Sequence, residues 1–148
     1  APWYARFHLA IFVWGKADLL QRRAGVRETY QDYYRALYRD DAPGYPAFRE
    51  ALQATGRWTA ERGLPWVFVI LPEFHEFPGP FADVYSRVRR DAEAAGARVI
   101  DITEAFADAD PATMWVARND VHPNARGHAA IAAAIRERVD PALFRRSP

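Results

Sequence analysis

The chain has 148 residues, enough for one domain, and half of them are hydrophobic, which is sufficient for a sizeable core. Its 20 basic and 19 acidic residues are interspersed and leave a formal net charge of +1, so charge gives no indication of a nucleic-acid or anionic-membrane partner. The absence of cysteine excludes disulfide bonds, thiolate metal sites and a cysteine nucleophile.

The first part of the chain is predicted to be helical. Apolar residues recur at helical spacing over residues 3–21, a tyrosine-rich segment over residues 29–38 has a similar period, and a third helix is expected over residues 46–62. The apolar stretch at residues 9–14 is too short to cross a bilayer, and no cleavage pattern of a signal peptide follows it. We therefore expect a soluble chain with no membrane span, and its compartment stays open.

The second part of the chain is predicted to alternate strands and helices. A continuous apolar, β-branched run at residues 66–71 is typical of a strand buried on both faces. A helix over residues 81–95, a strand over residues 98–102 and a last helix over residues 124–139 follow, with an irregular stretch expected at residues 108–118. This order predicts a right-handed α/β unit with a parallel sheet.

Two predicted strands are few for a parallel sheet. A strand that is apolar throughout needs neighbours to satisfy its backbone on both edges, and sheets usually hold more than two strands. We therefore expect residues 1–148 to be the C-terminal portion of a single domain. It would consist of a helical part over about residues 1–63 and an α/β part over about residues 64–148, with the other strands outside this sequence.

One short stretch, Asn119 to His128, carries residues suited to hydrolytic chemistry. A serine hydrolase needs an imidazole that takes the hydroxyl proton and returns it to the leaving group, and a carboxylate that orients the imidazole. Asp120 and His122 provide both within one turn. Pro123 restricts the backbone after the histidine, and Asn124 is suited to cap the following helix. His122 is therefore the candidate base and Asp120 the candidate orienting acid.

The stretch Asp120-Val121-His122-Pro123-Asn124, with Gly127-His128 and an alanine-rich helix after it, resembles the last sequence block of SGNH/GDSL hydrolases. The strand over residues 66–71 is similar to the one before that family's substrate loop, the strand over residues 98–102 to the one leading to its catalytic loop, and the helices before residue 63 to its helical insert. The resemblance implies a three-layer α/β/α, flavodoxin-like fold, present here as its C-terminal part. It also implies a serine esterase that works through an acyl-enzyme, without a metal or organic cofactor.

The resemblance leaves the identity of the acid open. The family's commonest spacing puts the acid three residues before the catalytic histidine, where this chain has Asn119. Asp120 matches a shorter spacing found in related sequences. The sequence therefore favours Asp120 as the partner of His122 but leaves Asn119 as an alternative at the acid position.

The serine nucleophile that the resemblance implies has no candidate in this sequence. Ser86 lies inside a predicted helix and Ser147 lies in the tail, and neither is at a strand-to-helix elbow. We therefore expect the serine and most of the oxyanion hole to come from a missing N-terminal half, either a second polypeptide or a cleaved fragment. The 148 residues alone are then not expected to be a competent esterase.

Other polar and aromatic residues have weaker functional interpretations. His75 follows the first strand, where α/β sites form, and is a candidate substrate-binding residue, although a solvated loop histidine is the alternative. Tyr33, Tyr34 and Tyr38 suit a core or the border of an acyl pocket. His128 is expected to be structural, and its spacing from Asp120 and His122 matches no metal motif.

Two functions remain as alternatives to ester hydrolysis. A non-catalytic α/β binding or assembly module could keep the same motif as a helix start. A glycan O-acyltransferase could use the same residues and differ only in the acceptor of the acyl group. The substrate class stays open among small-molecule, glycan and lipid esters.

Overall fold

The structure is a computed structural model that describes residues 7–144, and the chain divides into two compact units, Ala1–Arg39 and Asp40–Pro148. None of the described helices is long and apolar enough to cross a membrane. The elements in chain order are α1 (His8–Arg23), α2 (Tyr30–Ala36), α3 (Tyr45–Ala60), β1 (Val67–Ile70), α4 (Ala82–Ala94), β2 (Arg98–Asp101), β3 (Trp115–Ala117), β4 (Asp120–Pro123) and α5 (Ala125–Arg138). Short 3₁₀ segments lie at Thr103–Phe106, Pro111–Met114 and Pro141–Phe144.

The first unit contains α1 and α2. Helix α2 begins with a capping box: the Thr29 hydroxyl accepts the Asp32 backbone N–H at 3.1 Å, and the Asp32 carboxylate accepts the Thr29 N–H at 3.3 Å. Large apolar side chains on α1, such as Leu9 and Trp14, are exposed. The helix predicted from Trp3 begins at His8, after Phe7 in an extended conformation, and residues 3–6 of that prediction lie outside the described part.

The second unit is built around a parallel pair of strands. β1 and β2 pair in register from Val67 opposite Arg98 to Ile70 opposite Asp101. Because successive side chains of a strand point to opposite faces, the two faces of this pair contact different layers. One face supplies Val67, Val69 and Ile100 to a first hydrophobic cluster, and the other supplies Phe68 and Val99 to a second. The predicted parallel sheet is therefore confirmed.

Helices cover the two faces of this strand pair. On the first face, Ala134 of α5 is buried with Phe106 and Met114, and the partly buried Ile131, Ile135 and Val139 pack against them. On the second face, Leu52 of α3 is buried with Ala92 and Ala97 at the end of α4.

A glycine sets the distance between α3 and the end of α4. A Cβ at Gly56 would lie 1.9 Å from the backbone oxygen of Ala95, so only glycine allows this approach. Helix α3 thus packs within the second unit. The division between the two compact units falls at residue 39.

The predictions for regular elements in the second unit are confirmed, with ends shifted by one or two residues. The prediction of an irregular stretch at residues 108–118 is wrong, because it contains a 3₁₀ turn and strand β3. Asp120 and His122 were expected in a loop and instead lie in β4, which pairs with β3 antiparallel. These strands of three and four residues form because they pair with each other. The periodicity of apolar residues along the chain does not reveal such a pairing.

Candidate active site

A short hairpin presents the Asp120–His122 pair. Ala117 pairs with Asp120, so Arg118 and Asn119 form the connecting turn, and Trp115 pairs with Pro123. Residues two apart on a strand point to the same face, which places the carboxylate beside the imidazole. Asp120 Oδ1 accepts hydrogen bonds from the His122 ring Nδ1 at 2.6 Å and from the His122 backbone N–H at 3.1 Å.

Asn124 joins the hairpin to the start of α5. Its side-chain oxygen accepts the Gly127 N–H at 3.0 Å, which caps the helix as the sequence predicted. Its side-chain nitrogen donates to the backbone oxygens of Trp115 at 2.9 Å and Thr113 at 3.2 Å, and its backbone N–H donates to Met114 O at 2.7 Å. One side chain therefore fixes both the helix start and the strand opposite His122.

The hydrogen bonds set the protonation of the pair. The hydrogen bond from the His122 ring, followed by the one from the His122 backbone N–H, holds the pKa of the Asp120 carboxyl below its ordinary value of 3.8. An ionised carboxylate can only accept, so the hydrogen lies on Nδ1 of the ring and Nε2 is the basic nitrogen. The His122 side chain is 87% exposed and that of Asp120 is 45% exposed, so the ring is accessible to a reacting group.

Asp120, and not Asn119, is hydrogen-bonded to the ring of His122. Asn119 is exposed in the hairpin turn, one residue before β4. The hydrogen-bonding partner of the His122 ring within the described residues is Asp120. The shorter of the two spacings that the sequence left open is therefore the one whose geometry orients the imidazole.

A second carboxylate–imidazole pair follows β1. Glu73 Oε1 is hydrogen-bonded to the His75 ring at Nδ1, and Glu73 Oε2 accepts the His75 backbone N–H at 3.0 Å. The sequence indicated His75 as a candidate but missed Glu73 as its partner. The signal was available, because Glu73 precedes His75 by the same two residues that separate Asp120 from His122.

The loop that carries His75 contacts the hairpin that carries His122. The Trp115 indole N–H donates to the backbone oxygen of Phe74 at 2.5 Å. A Cβ at Gly127 would lie 3.0 Å from Pro123 Cβ, 3.2 Å from Met114 O and 3.4 Å from the Phe74 ring, so the loop, the hairpin and α5 approach closely at this glycine. The loop that carries His75 therefore packs directly against the β3–β4 hairpin.

Asp101 at the end of β2 is a turn-forming residue. Its carboxylate accepts the Thr103 N–H at 2.9 Å and the Thr103 hydroxyl at 2.6 Å, and it pairs with Arg89 at 2.8 Å. Burial is the strongest influence on its pKa and raises it, but the hydrogen bonds from Thr103 and Arg89 together outweigh burial and leave the pKa lowered. These contacts give Asp101 a structural role at the strand end.

No protein-family model, curated protein or solved structure matches this chain. The resemblance to SGNH/GDSL hydrolases therefore depends on the sequence of the Asp120–His128 stretch and on the order of the elements alone. Asp120 and His122 meet as a dyad in the structure, and no relative bears on what the dyad does.

The remaining sequence candidates lie apart from this dyad. Ser86 is exposed on α4 and makes no hydrogen bond to either histidine, and Ser147 lies outside the described residues. His128 is exposed on α5. Within residues 7–144, no three His, Cys, Asp or Glu side chains are arranged to hold a metal ion.

The tyrosine cluster belongs to the first unit. Tyr34 packs against Tyr30 and Tyr38 with ring centroids 5.8 and 5.5 Å apart, and Tyr33 is 53% exposed. An open cavity of about 570 Å³ in this unit is lined by Arg22, Arg27, Glu28, Tyr30 and Tyr33. Tyr33 thus borders a cavity.

Proposed function

We propose that this protein is an SGNH-type serine ester hydrolase in which His122 is the general base and acid and Asp120 orients it. The observation that carries the proposal is the 2.6 Å hydrogen bond from His122 Nδ1 to Asp120 Oδ1. This bond selects the tautomer with a basic Nε2, on a ring that is 87% exposed. A general base needs that nitrogen accessible and the opposite nitrogen held by a carboxylate.

The reaction would pass through an acyl-enzyme. The serine Oγ forms a bond to the ester carbonyl carbon while His122 Nε2 takes the hydroxyl proton, and Asp120 stabilises the imidazolium. The bond from the carbonyl carbon to the alcohol oxygen then breaks, and the alcohol leaves with the proton from Nε2. Water repeats the two steps, with His122 as base and then acid, and releases the carboxylic acid and the free serine.

The nucleophile would come from a segment outside these 148 residues that also completes the sheet. Within the described residues β1 and β2 pair only with each other, so each has one edge without a strand partner. Further parallel strands on those edges would extend the pair into the three-layer α/β/α, flavodoxin-like sheet of the family. A serine at the end of such a strand would share the sheet end that carries Glu73 and Asp101, the edge at which α/β enzymes place their sites.

The test is a fluorophosphonate label combined with ester hydrolysis, on the protein together with the polypeptide that carries the serine. We expect a label on that serine and hydrolysis of a short-chain ester. His122→Ala should lower kcat by about a thousandfold, and Asp120→Asn by at least about a hundredfold through loss of the correct tautomer. The matched control is His128→Ala, which removes an exposed histidine six residues away and should retain full activity.

Two results would refute this function. Full activity in the His122→Ala variant would remove His122 from the mechanism. A preparation that is folded and takes no label would favour the non-catalytic binding or assembly module instead.

A further inference from the structure

We propose that one face of α1, the stripe formed by Leu9, Phe12, Val13 and Leu20, binds the protein to an anionic phospholipid surface. The helix would lie in the plane of the headgroups, with the four apolar side chains inserted and the cations of the first unit against the lipid phosphates. This inference does not depend on the hydrolase function, because it uses neither residue of the catalytic dyad.

The α1 stripe is an apolar face that is open to solvent. Its members are spaced i, i+3, i+4 and i+11, which places them on one side of a helix. Each is more than half exposed, with fractions of 74% for Leu9, 61% for Phe12, 57% for Val13 and 65% for Leu20. Apolar side chains in this state gain free energy from a surface that removes them from water.

The ion pairs of Asp18 lie on the side of α1 opposite the stripe. Asp18 is two residues before Leu20, and residues two apart in an α-helix point about 160° away from each other. The Asp18 carboxylate binds Arg22 at 2.7 Å and Arg27, in the turn after α1, at 2.5 Å. The first unit is therefore held together on the side of Asp18, which leaves the stripe available to a partner.

The charge of the first unit selects the kind of surface. The net charge of +1 for the whole chain conceals a difference between the units. Residues 1–39 contain seven Lys and Arg against three Asp and Glu, whereas residues 40–148 contain 13 against 16. An anionic bilayer attracts a basic segment beside inserted apolar side chains, and each Lys or Arg near the headgroups strengthens the attraction. The first unit therefore complements an anionic lipid surface.

Lys16 favours a lipid surface over a second copy of the chain. It lies within the stripe, four residues after Phe12, and its ammonium is 5.4 Å from the centre of the Phe12 ring. Because α1 spans residues 8–23, a symmetric pair of α1 helices would bring the two copies of Lys16 together near its centre. That pair would bury like charges in an apolar contact. At a bilayer, the stem of Lys16 lies along the apolar side chains while its ammonium reaches the phosphates.

The experiment measures binding of the full chain to vesicles by flotation. One set of vesicles is phosphatidylcholine alone, and the other contains about 30% phosphatidylglycerol. We expect binding to the anionic vesicles to be at least about tenfold tighter than to the neutral ones, and to weaken in about 0.5 M NaCl because salt screens the charges. Equal binding to both sets, or binding to neither, would overturn the proposal.

Single substitutions test whether the stripe is the binding face. Leu20→Ser removes an inserted side chain and should weaken binding to anionic vesicles about tenfold. The matched control is Leu64→Ser, which removes a leucine that is 48% exposed in the second unit and should bind as the wild type does. Lys16→Gln should weaken binding to the anionic vesicles about fivefold and leave binding to the neutral ones unchanged. Equal losses in Leu20→Ser and Leu64→Ser would exclude the stripe as the binding face.

Hydrogen exchange locates the contact in the wild-type protein and needs no variant. Amides of residues 9–20 should gain protection on the anionic vesicles, while those of α5 should not. Unchanged exchange in residues 9–20 of the bound protein would overturn the proposal.

Two other occupants of the stripe would each give a distinct result. Light scattering that shows a wild-type dimer, and a monomer for Leu20→Ser, would assign the stripe to a second copy. Loss of vesicle binding on addition of the polypeptide that carries the serine would assign the stripe to that polypeptide. Either result would overturn the lipid surface as the partner.

Discussion

At the residue scale, the same local device occurs twice in this protein. A carboxylate two residues before a histidine accepts both the backbone N–H and the ring Nδ1 of that histidine, in Asp120–His122 and in Glu73–His75. Because the device spans three residues, its spacing is visible in the sequence. The spacing predicted the Asp120–His122 pair, whereas His75 was predicted from its place after the first strand and Glu73 was not predicted as its partner.

A second residue-scale feature is the buried phenol of Tyr45, which is only 2% exposed. Its hydroxyl donates to the Asp91 carboxylate, and the Arg87 guanidinium lies 5.1 Å from its ring centroid. Burial, followed by the hydrogen bond to Asp91, raises the pKa of Tyr45 to about 12 from 10.0. In the unfolded chain the phenol ionises first, so folding keeps it protonated.

This shift predicts an alkaline loss of stability. Since the folded pKa of Tyr45 is raised, its contribution is fully present below about pH 10 and is lost as the pH rises towards 12. Tyr45→Phe removes the hydrogen bond to Asp91 and should lower the free energy of unfolding by about 1 kcal/mol at pH 7. Because the variant has no phenol to ionise, its free energy of unfolding should fall less between pH 9.5 and 11.5 than that of the wild type. Thermal unfolding of both proteins across that range measures the difference, and parallel pH curves would contradict the prediction.

At the element scale, the hairpin of β3 and β4 depends on its connection to α5. Two strands of three and four residues are marginal as an isolated hairpin. Asn124 adds the missing stability, since its side chain binds Trp115 O and Thr113 O in addition to capping the helix. The cap was predictable from the sequence, because an Asn before an alanine-rich run is a local signal. The bonds to residues 9 and 11 positions earlier were not, because they require the tertiary fold.

Substitutions of Asn124 should separate these two roles. Asn124→Ala loses the cap and both hairpin bonds and should lower the free energy of unfolding by about 2 kcal/mol. Asn124→Asp keeps an oxygen for the Gly127 N–H but loses the donor to Trp115 O, so it should retain α5 and loosen the hairpin. Chemical denaturation measures the first effect and amide hydrogen exchange in residues 115–123 the second. Equal exchange in Asn124→Asp and the wild type would show that the hairpin does not need the Asn124 donor.

At the scale of the whole molecule, the core is concentrated in the second unit. Both hydrophobic clusters draw their members from residues 48–139. In contrast, none of the described side chains in residues 7–39 is fully buried, and α1 exposes many of its large apolar groups. Hydrophobic burial is the main source of folding stability, so the second unit should be stable without residues 1–39.

A fragment of residues 40–148 is therefore expected to fold alone. Its Tm should lie within about 5 °C of that of the full chain, which corresponds to a difference of about 1 kcal/mol or less. Far- and near-ultraviolet circular dichroism of the two proteins during heating provides the measurement. An unfolded fragment, or one without a cooperative transition, would mean that residues 1–39 contribute to the core.

The sequence by itself determined the elements and the candidate residues, because both depend on short spacings. Helical periodicity, the apolar run at residues 66–71, the helix cap at Asn124 and the two-residue spacing of Asp120 and His122 are each local patterns that span a few positions. Only the tertiary structure decided the β3–β4 hairpin, the contact between the His75 loop and Trp115, and the boundary of the units at residue 39. These features depend on contacts between distant residues, and such contacts form when side chains pack in three dimensions and leave no period in the chain.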